Sequence, residues 1–166
     1  MNESPQQYID RILGNLEGKD ALMVLKTTPK KVKKLIKGVK KKNLYRRPAP
    51  EKWSVAEIVA HLAETELVLG WRYRSVASNP GVVIQSFEQD DWAKTSRYGK
   101  LDIEEMLEMY TVLRKANLKF LAGLPKEKFE NYGMHQERGK ETIAHIRNME
   151  AGHDLNHFKQ IEKILN

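Results

Sequence analysis

Residues 142–166, TIAHIRNMEAGHDLNHFKQIEKILN, decide the fold. At ~100° per residue Ile143, Ile146, Met149, Ile161 and Ile164 share one arc, which predicts a helix capped by Thr142 and running to the C-terminus. Glu150, His153, His157 and Gln160 fall inside that same arc. An unpartnered buried polar side chain costs ~1–3 kcal/mol, so four on one stripe need a common partner, and a divalent metal ion supplies one. The i,i+4 spacing stacks the two histidines one turn apart, as chelation of one ion requires. On the other side Ala151, Leu155 and Phe158 form a second apolar patch. The helix therefore has two neighbours, either in the same bundle or in another subunit.

Two imidazoles make a weak site, so a third ligand is expected from a facing helix. Ser54 with Glu57 three residues on forms a capping box that opens a helix over about 54–78, closed by Asn79-Pro80-Gly81. On it His61 borders the stripe Val55, Ile58, Leu62 and Leu69, which makes it the best third ligand. His145 lies ~80° and ~12 Å from His153, too far to share an ion, and His135 falls in a loop-like stretch. A di-iron bundle would need Glu-x-x-His twice; only Glu150–His153 fits, so a two-metal site is not expected.

The remaining punctuation reads as further helices. Ser4-Pro5 starts a short N-terminal helix up to Gly18, and Thr28-Pro29 repeats that signal ahead of a lysine-rich helix that must stop before Arg47-Pro48-Ala49-Pro50. Asp102 with Glu105 caps a helix that ends at Gly123-Leu124-Pro125. Residues 79–101 form a long connection that crosses the bundle or covers a site. No β-alternation is evident beyond Val82–Ile84. The expectation is an all-α single domain over 1–166, with four substantial helices and one short extra one.

Composition narrows the chemistry. The chain of 166 residues has no cysteine, which excludes disulfides, iron–sulfur clusters, thiolate zinc sites and a cysteine nucleophile; any thiol must come from outside. No apolar window approaches the ~20 residues of a membrane span, and no signal peptide is read, so a cytoplasmic protein is expected. The formal charge is +7, yet residues 30–42 (KKVKKLIKGVKKK) alone carry eight lysines and no acid. Val32, Leu35, Ile36 and Val39 within that run follow a buried helical stripe. The lysines then form either a solvated face or a patch for nucleic acid or another anionic partner.

Pro50-x-x-Trp53-Ser54-Val55-Ala56-Glu57 leading to His61-Leu62-Ala63-Glu64, with Gly152-His153-Asp154-Leu155-Asn156-His157-x-x-Gln160-Ile161 near the C-terminus, resembles the DinB-like superfamily. The resemblance extends to Ile12-Leu13-Gly14, Gly18-Lys19-Asp20 and Asp91-Trp92. It implies an up-down-down-up four-helix bundle, often a homodimer, with a three-histidine metal site at His61, His153 and His157. Relatives include thiol-dependent transferases and isomerases that use low-molecular-weight thiols such as bacillithiol or mycothiol.

Three neutral imidazoles leave a bound ion its full charge and open positions, the arrangement of a catalytic site acting on a small molecule. Imidazole suits zinc or nickel first. The expected reaction is a thiol-dependent transfer or a hydrolysis; a non-catalytic metal-binding or stress-response protein is the rival, because no general base independent of the metal is identifiable. Around the ligands, Glu150 and Gln160 are expected to receive an imidazole N–H or bind water, and Glu57 and Glu64 flank His61. Arg114 and Asn117 either reach the pocket to hold a substrate carboxylate or tie helices together. Trp53 and Trp71 read as packing residues.

Overall fold

The computed structural model describes residues 3–166. Its main elements are α1 (Pro5–Gly14), α2 (Ala21–Ile36), α3 (Lys41–Leu44), α4 (Val55–Ser78), α5 (Gln89–Thr95), α6 (Ile103–Ala122) and α7 (Ile143–Leu165), with strands β1 (Val83–Ile84), β2 (Tyr132–His135) and β3 (Gly139–Thr142). Helices α2, α4, α6 and α7 form a four-helix bundle. The starts follow the capping chemistry of the sequence: Ser4 with Gln7 and Ser54 with Glu57 form reciprocal boxes, while Asp102 and Thr142 accept from the first-turn backbone of α6 and α7.

Three core clusters define how the helices run. One joins the C-terminal end of α2 (Val32, Ile36) to the first turns of α4 and α6 (Val55, Ile58, Ile103, Leu107) and the last turns of α7 (Ile161). A second joins the far ends of α4 and α6 (Leu69, Tyr73, Val76, Leu121) to the start of α7 (Ile143, Ile146). The third packs Ala21, Val24 and Leu25 of α2 on Ala151. Thus α4 and α6 run parallel to each other and opposite to α2 and α7, which is the up-down-down-up order.

The second apolar face of α7 is occupied within the chain, by α2 through Ala151 and Leu155. α1 lies so close that a Cβ on Gly152 would sit 2.1 Å from the Ile12 carbonyl oxygen.

Three expectations are corrected. Pro29 does not begin a helix: α2 starts eight residues earlier, capped by Asp20, and Pro29 lies inside it. Proline removes the N–H that would bond the Leu25 carbonyl, and Arg114 Nη1 donates to that carbonyl at 3.0 Å instead. The lysine-rich helix also stops sooner, at Ile36, because Gly38 adopts φ +78°. The eight lysines of residues 30–42, four of them beyond the end of α2, are all exposed.

The third correction concerns strands. β1 pairs parallel with β2 and β2 antiparallel with β3, whereas the sequence shows only the first of them. Two four-residue strands are too short for alternation to register. Gly133 is required there by packing, since a Cβ would meet the Ile84 side chain at 2.6 Å. Trp71, expected to pack, is 52% exposed. It shares an outer stripe of α4 with the exposed Leu67, Arg74 and Ser78.

Candidate metal centre

His61 comes from the second turn of α4, and His153 and His157 from consecutive turns of α7. Their Nε2 atoms converge: His61 to His153 is 3.0 Å, and His157 to His153 is 3.0 Å. Three ring nitrogens, one from each histidine, lie within 4.8 Å of one another. Two nitrogens bound at ~2.1 Å with tetrahedral or octahedral angles are separated by about 3.0–3.4 Å, so these imidazoles fit a shared divalent ion.

The tautomers agree. His157 Nδ1 is 2.8 Å from Gln160 Oε1; with the amide oxygen accepting, the proton sits on Nδ1 and Nε2 keeps its lone pair for a ligand bond. Burial, reinforced by the neighbouring histidines, holds His61 and His153 well below the usual imidazole range, and burial lowers His157 to about 4. All three are neutral near pH 7, the state that ligates metal. Trp53 covers the cluster, its ring 4.9 Å from His61 and nearly parallel to His157.

His61 and His153 also line a cavity of about 530 Å³ that runs between α4 and α7. Thr65, Leu69 and Arg72 continue its α4 wall, Glu150, Met149 and Ile146 its α7 wall, and His135 and Arg138 stand at the far end. Residues Ser86–Gln89 of the long connection border it too, so that connection covers the site.

The other residues singled out from sequence divide. Gln160 is placed against His157 as described. Glu150 is buried in the cavity wall, but its carboxyl meets Tyr73, which donates to Oε2, and Arg114, whose Nε lies 3.1 Å from Oε1, rather than a histidine. Burial first, then the charge of Glu66, pushes the Glu150 carboxyl well above the usual carboxylate range, against the opposing pull of Arg114.

Glu57 and Glu64 flank His61 one turn away on α4, but their carboxylates are engaged elsewhere. Glu57 is spent on the Ser54 cap and on Arg47, and Glu64 accepts from Tyr98 Oη at 2.7 Å. Both therefore pin the connections to α4. Arg114 and Asn117 lie outside the cavity lining. Arg114 donates to Glu66 at 2.6 Å and to Asp154 at 2.6 Å, and Asn117 Nδ2 donates to the Glu66 carbonyl at 3.0 Å. They tie α2, α4, α6 and α7 together, because a buried guanidinium is held by the carboxylates nearest it.

Sequence reasoning missed Glu66 and Asp154 in that network, and Thr65, Arg72 and His135 in the cavity. Arg72 was legible, since eleven residues from His61 returns to the same face of an α-helix. His135 was not, because only the sheet places it.

The comparisons accord with this geometry. A protein of Oceanobacillus iheyensis whose name proposes a metal-dependent hydrolase is 25% identical over 112 residues, 68% of this chain and 64% of its own length. A similarly named protein of Bacillus cereus is 24% identical over 136 residues, 82% of this chain and 78% of its own. Among solved structures, YfiT from Bacillus subtilis, proposed to be a metal-dependent hydrolase and described as having an unusual four-helix bundle topology, superposes with a TM-score of 0.81 at 18% identity, over 87% of this chain and 83% of that one. The profile of the DinB superfamily matches residues 25–161. With that match over most of its length, the chain belongs to the DinB superfamily.

Proposed function

We propose that this protein is a metal-dependent enzyme that acts on a small molecule, with a divalent ion, zinc or nickel first, held by His61, His153 and His157. The observation that carries the reading is the convergence of three neutral Nε2 atoms, two of them on residues that line a cavity of substrate size. What an ion supplies there is Lewis acidity, because three imidazoles leave its charge uncompensated and positions open.

The chain's own groups supply the rest. Glu150 lines the cavity wall, with Oε2 engaged by Tyr73 and Oε1 3.1 Å from Arg114 Nε, and holds that wall in place. Thr65 Oγ1 presents a hydroxyl on the facing wall. Trp53 and the 86–89 segment exclude bulk water from the two sides.

Hydrolysis is the reaction the named relatives favour. A thiol-dependent transfer is the second reading, favoured by the absence of any cysteine in the chain together with a cavity that admits an outside nucleophile.

The test is metal-loaded protein assayed against activated esters and amides, and separately against electrophiles with low-molecular-weight thiols, beside His153→Ala. Turnover that requires His153 and one equivalent of metal is expected. Tight metal with no turnover in either assay would leave a non-catalytic metal-binding protein.

A further inference from the structure

Among the described residues, five buried side-chain atoms have no hydrogen-bond partner: Thr65 Oγ1, Arg72 Nε, His135 Nε2, Glu150 Oε1 and His153 Nδ1. All five residues line the cavity between α4 and α7, and of the five atoms only Glu150 Oε1 has an ion-pair partner, Arg114 Nε at 3.1 Å. Buried polar groups are almost always satisfied, so their collection along one cavity marks a place where a ligand completes the bonding.

The two at the end remote from the histidine cluster specify what that ligand must offer. Arg72 is only 5% exposed, and it forms no ion pair with a carboxylate of the described residues. Its Nη2 donates to the Gln85 carbonyl at 2.8 Å and its guanidinium faces the Phe87 ring at 5.9 Å, which leaves Nε–H unpartnered. Glu141, at the same end, is taken by Arg138 at 2.7 Å.

His135 Nδ1 accepts from the backbone N–H groups of Glu137 and Arg138 at 3.2 and 3.4 Å. The ring proton must then sit on Nε2, where it too points at no acceptor. A cation whose Nε–H is unpartnered and a neutral ring whose Nε2–H is unpartnered, side by side in one cavity, call for a negatively charged oxygen acceptor.

The spacing sets the rest of the molecule. His61, Thr65, Leu69 and Arg72 lie on one face of α4, with Arg72 three turns, about 16 Å along the axis, from His61. Leu69, Ile146 and Met149 make the stretch between them apolar.

We propose that Arg72 and His135 form an oxyanion subsite, and that the substrate is a small molecule with a carboxylate or phosphate at one end, an apolar spacer, and its reacting bond at the histidine cluster. Only the last part rests on the reading of that cluster as a metal site. Burial, with Arg138 nearby, lowers the Arg72 pKa to about 10, so the group remains a cation at neutral pH and an anion offsets its desolvation.

The experiment is a ¹H–¹⁵N NMR titration of the full chain, zinc-loaded and EDTA-treated, with hexanoate, hexyl phosphate and the neutral hexanamide. At least one anion is expected to bind both forms at least tenfold more tightly than the amide and to shift the Arg72 Nε–H resonance; whichever binds more tightly assigns carboxylate or phosphate. Arg72→Gln should weaken the anion at least tenfold and leave the amide unchanged. Arg72→Lys keeps the charge and loses Nε–H, so it should weaken binding severalfold, and it decides the matter if Arg72→Gln does not fold. Amide and anions binding alike, no binding of any of them, anion binding only to the zinc-loaded form, or affinity unmoved by the Arg72 variant would each overturn the proposal. Zinc content measured on the same samples separates the two readings: anion binding without zinc keeps the subsite and removes the metal centre, and the converse removes the subsite alone.

Discussion

The Nε2 atoms of His61 and His153 lie 3.0 Å apart across 92 residues of sequence. The antiparallel packing of α4 on α7 sets that distance, and the first prediction rests on it. Replacing either residue by alanine leaves two imidazoles and should lower zinc affinity at least a hundredfold. Wild type should hold one equivalent by elemental analysis, and saturating zinc at about a hundred times Kd should stabilise it by ~2.7 kcal/mol against urea. A His61→Ala protein that keeps a full equivalent would refute the centre.

Gln160 touches the site only through His157 Nδ1 and is exposed. Gln160→Ala should therefore leave the unfolding midpoint of the metal-free protein within ~0.5 kcal/mol of wild type, and lower metal affinity about tenfold by freeing the ring to rotate and change tautomer. Competition with a zinc chelator measures this; unchanged affinity would show that the amide does not orient the ligand.

Among the described residues Arg114 is the cation that contacts Glu66, Glu150 and Asp154, all of them buried, and it also serves the carbonyl that Pro29 orphans. Arg114→Met leaves carboxylates uncompensated, and should cost ~3–5 kcal/mol in urea unfolding. A loss below ~1 kcal/mol would mean that the network carries little of the stability.

Burial holds His135 neutral in the folded protein, its pKa lowered to about 4, against ~6.5 in the unfolded chain. The unfolded state takes up this proton first on acidification. Stabilisation from His135 is thus complete above pH 6.5 and is lost as pH falls toward 4, by up to ~2–3 kcal/mol. Urea midpoints of metal-free protein at pH 7, 5.5 and 4.5 should fall, and His135→Gln should flatten part of that slope. Equal slopes in both proteins would show His135 to be unburied in solution.

Helix starts were legible because capping is local: Ser54 and Glu57 satisfy each other's backbone within one turn, whatever the rest of the chain does. The Pro29 signal misled for the complementary reason. A proline start is the local preference, and it was overridden by Arg114, 89 residues from Leu25 in sequence. Strands β2 and β3 were invisible because four residues are too few for alternation to register, although they form a local hairpin, and the pairing of β2 with β1 spans about 50 residues that no local pattern encodes.

The candidate ligand pair on α7 was already legible in the sequence, since a helix carries its own angular ruler and two histidines four residues apart must share a face. Whether His61 meets them depends on how α4 packs on α7. That long-range contact also separates Glu150, in the cavity wall, from Glu57 and Glu64, spent elsewhere. Burial and partner choice are properties of packed surfaces, and the tertiary structure alone leaves Arg72 Nε and His135 Nε2 buried without an acceptor.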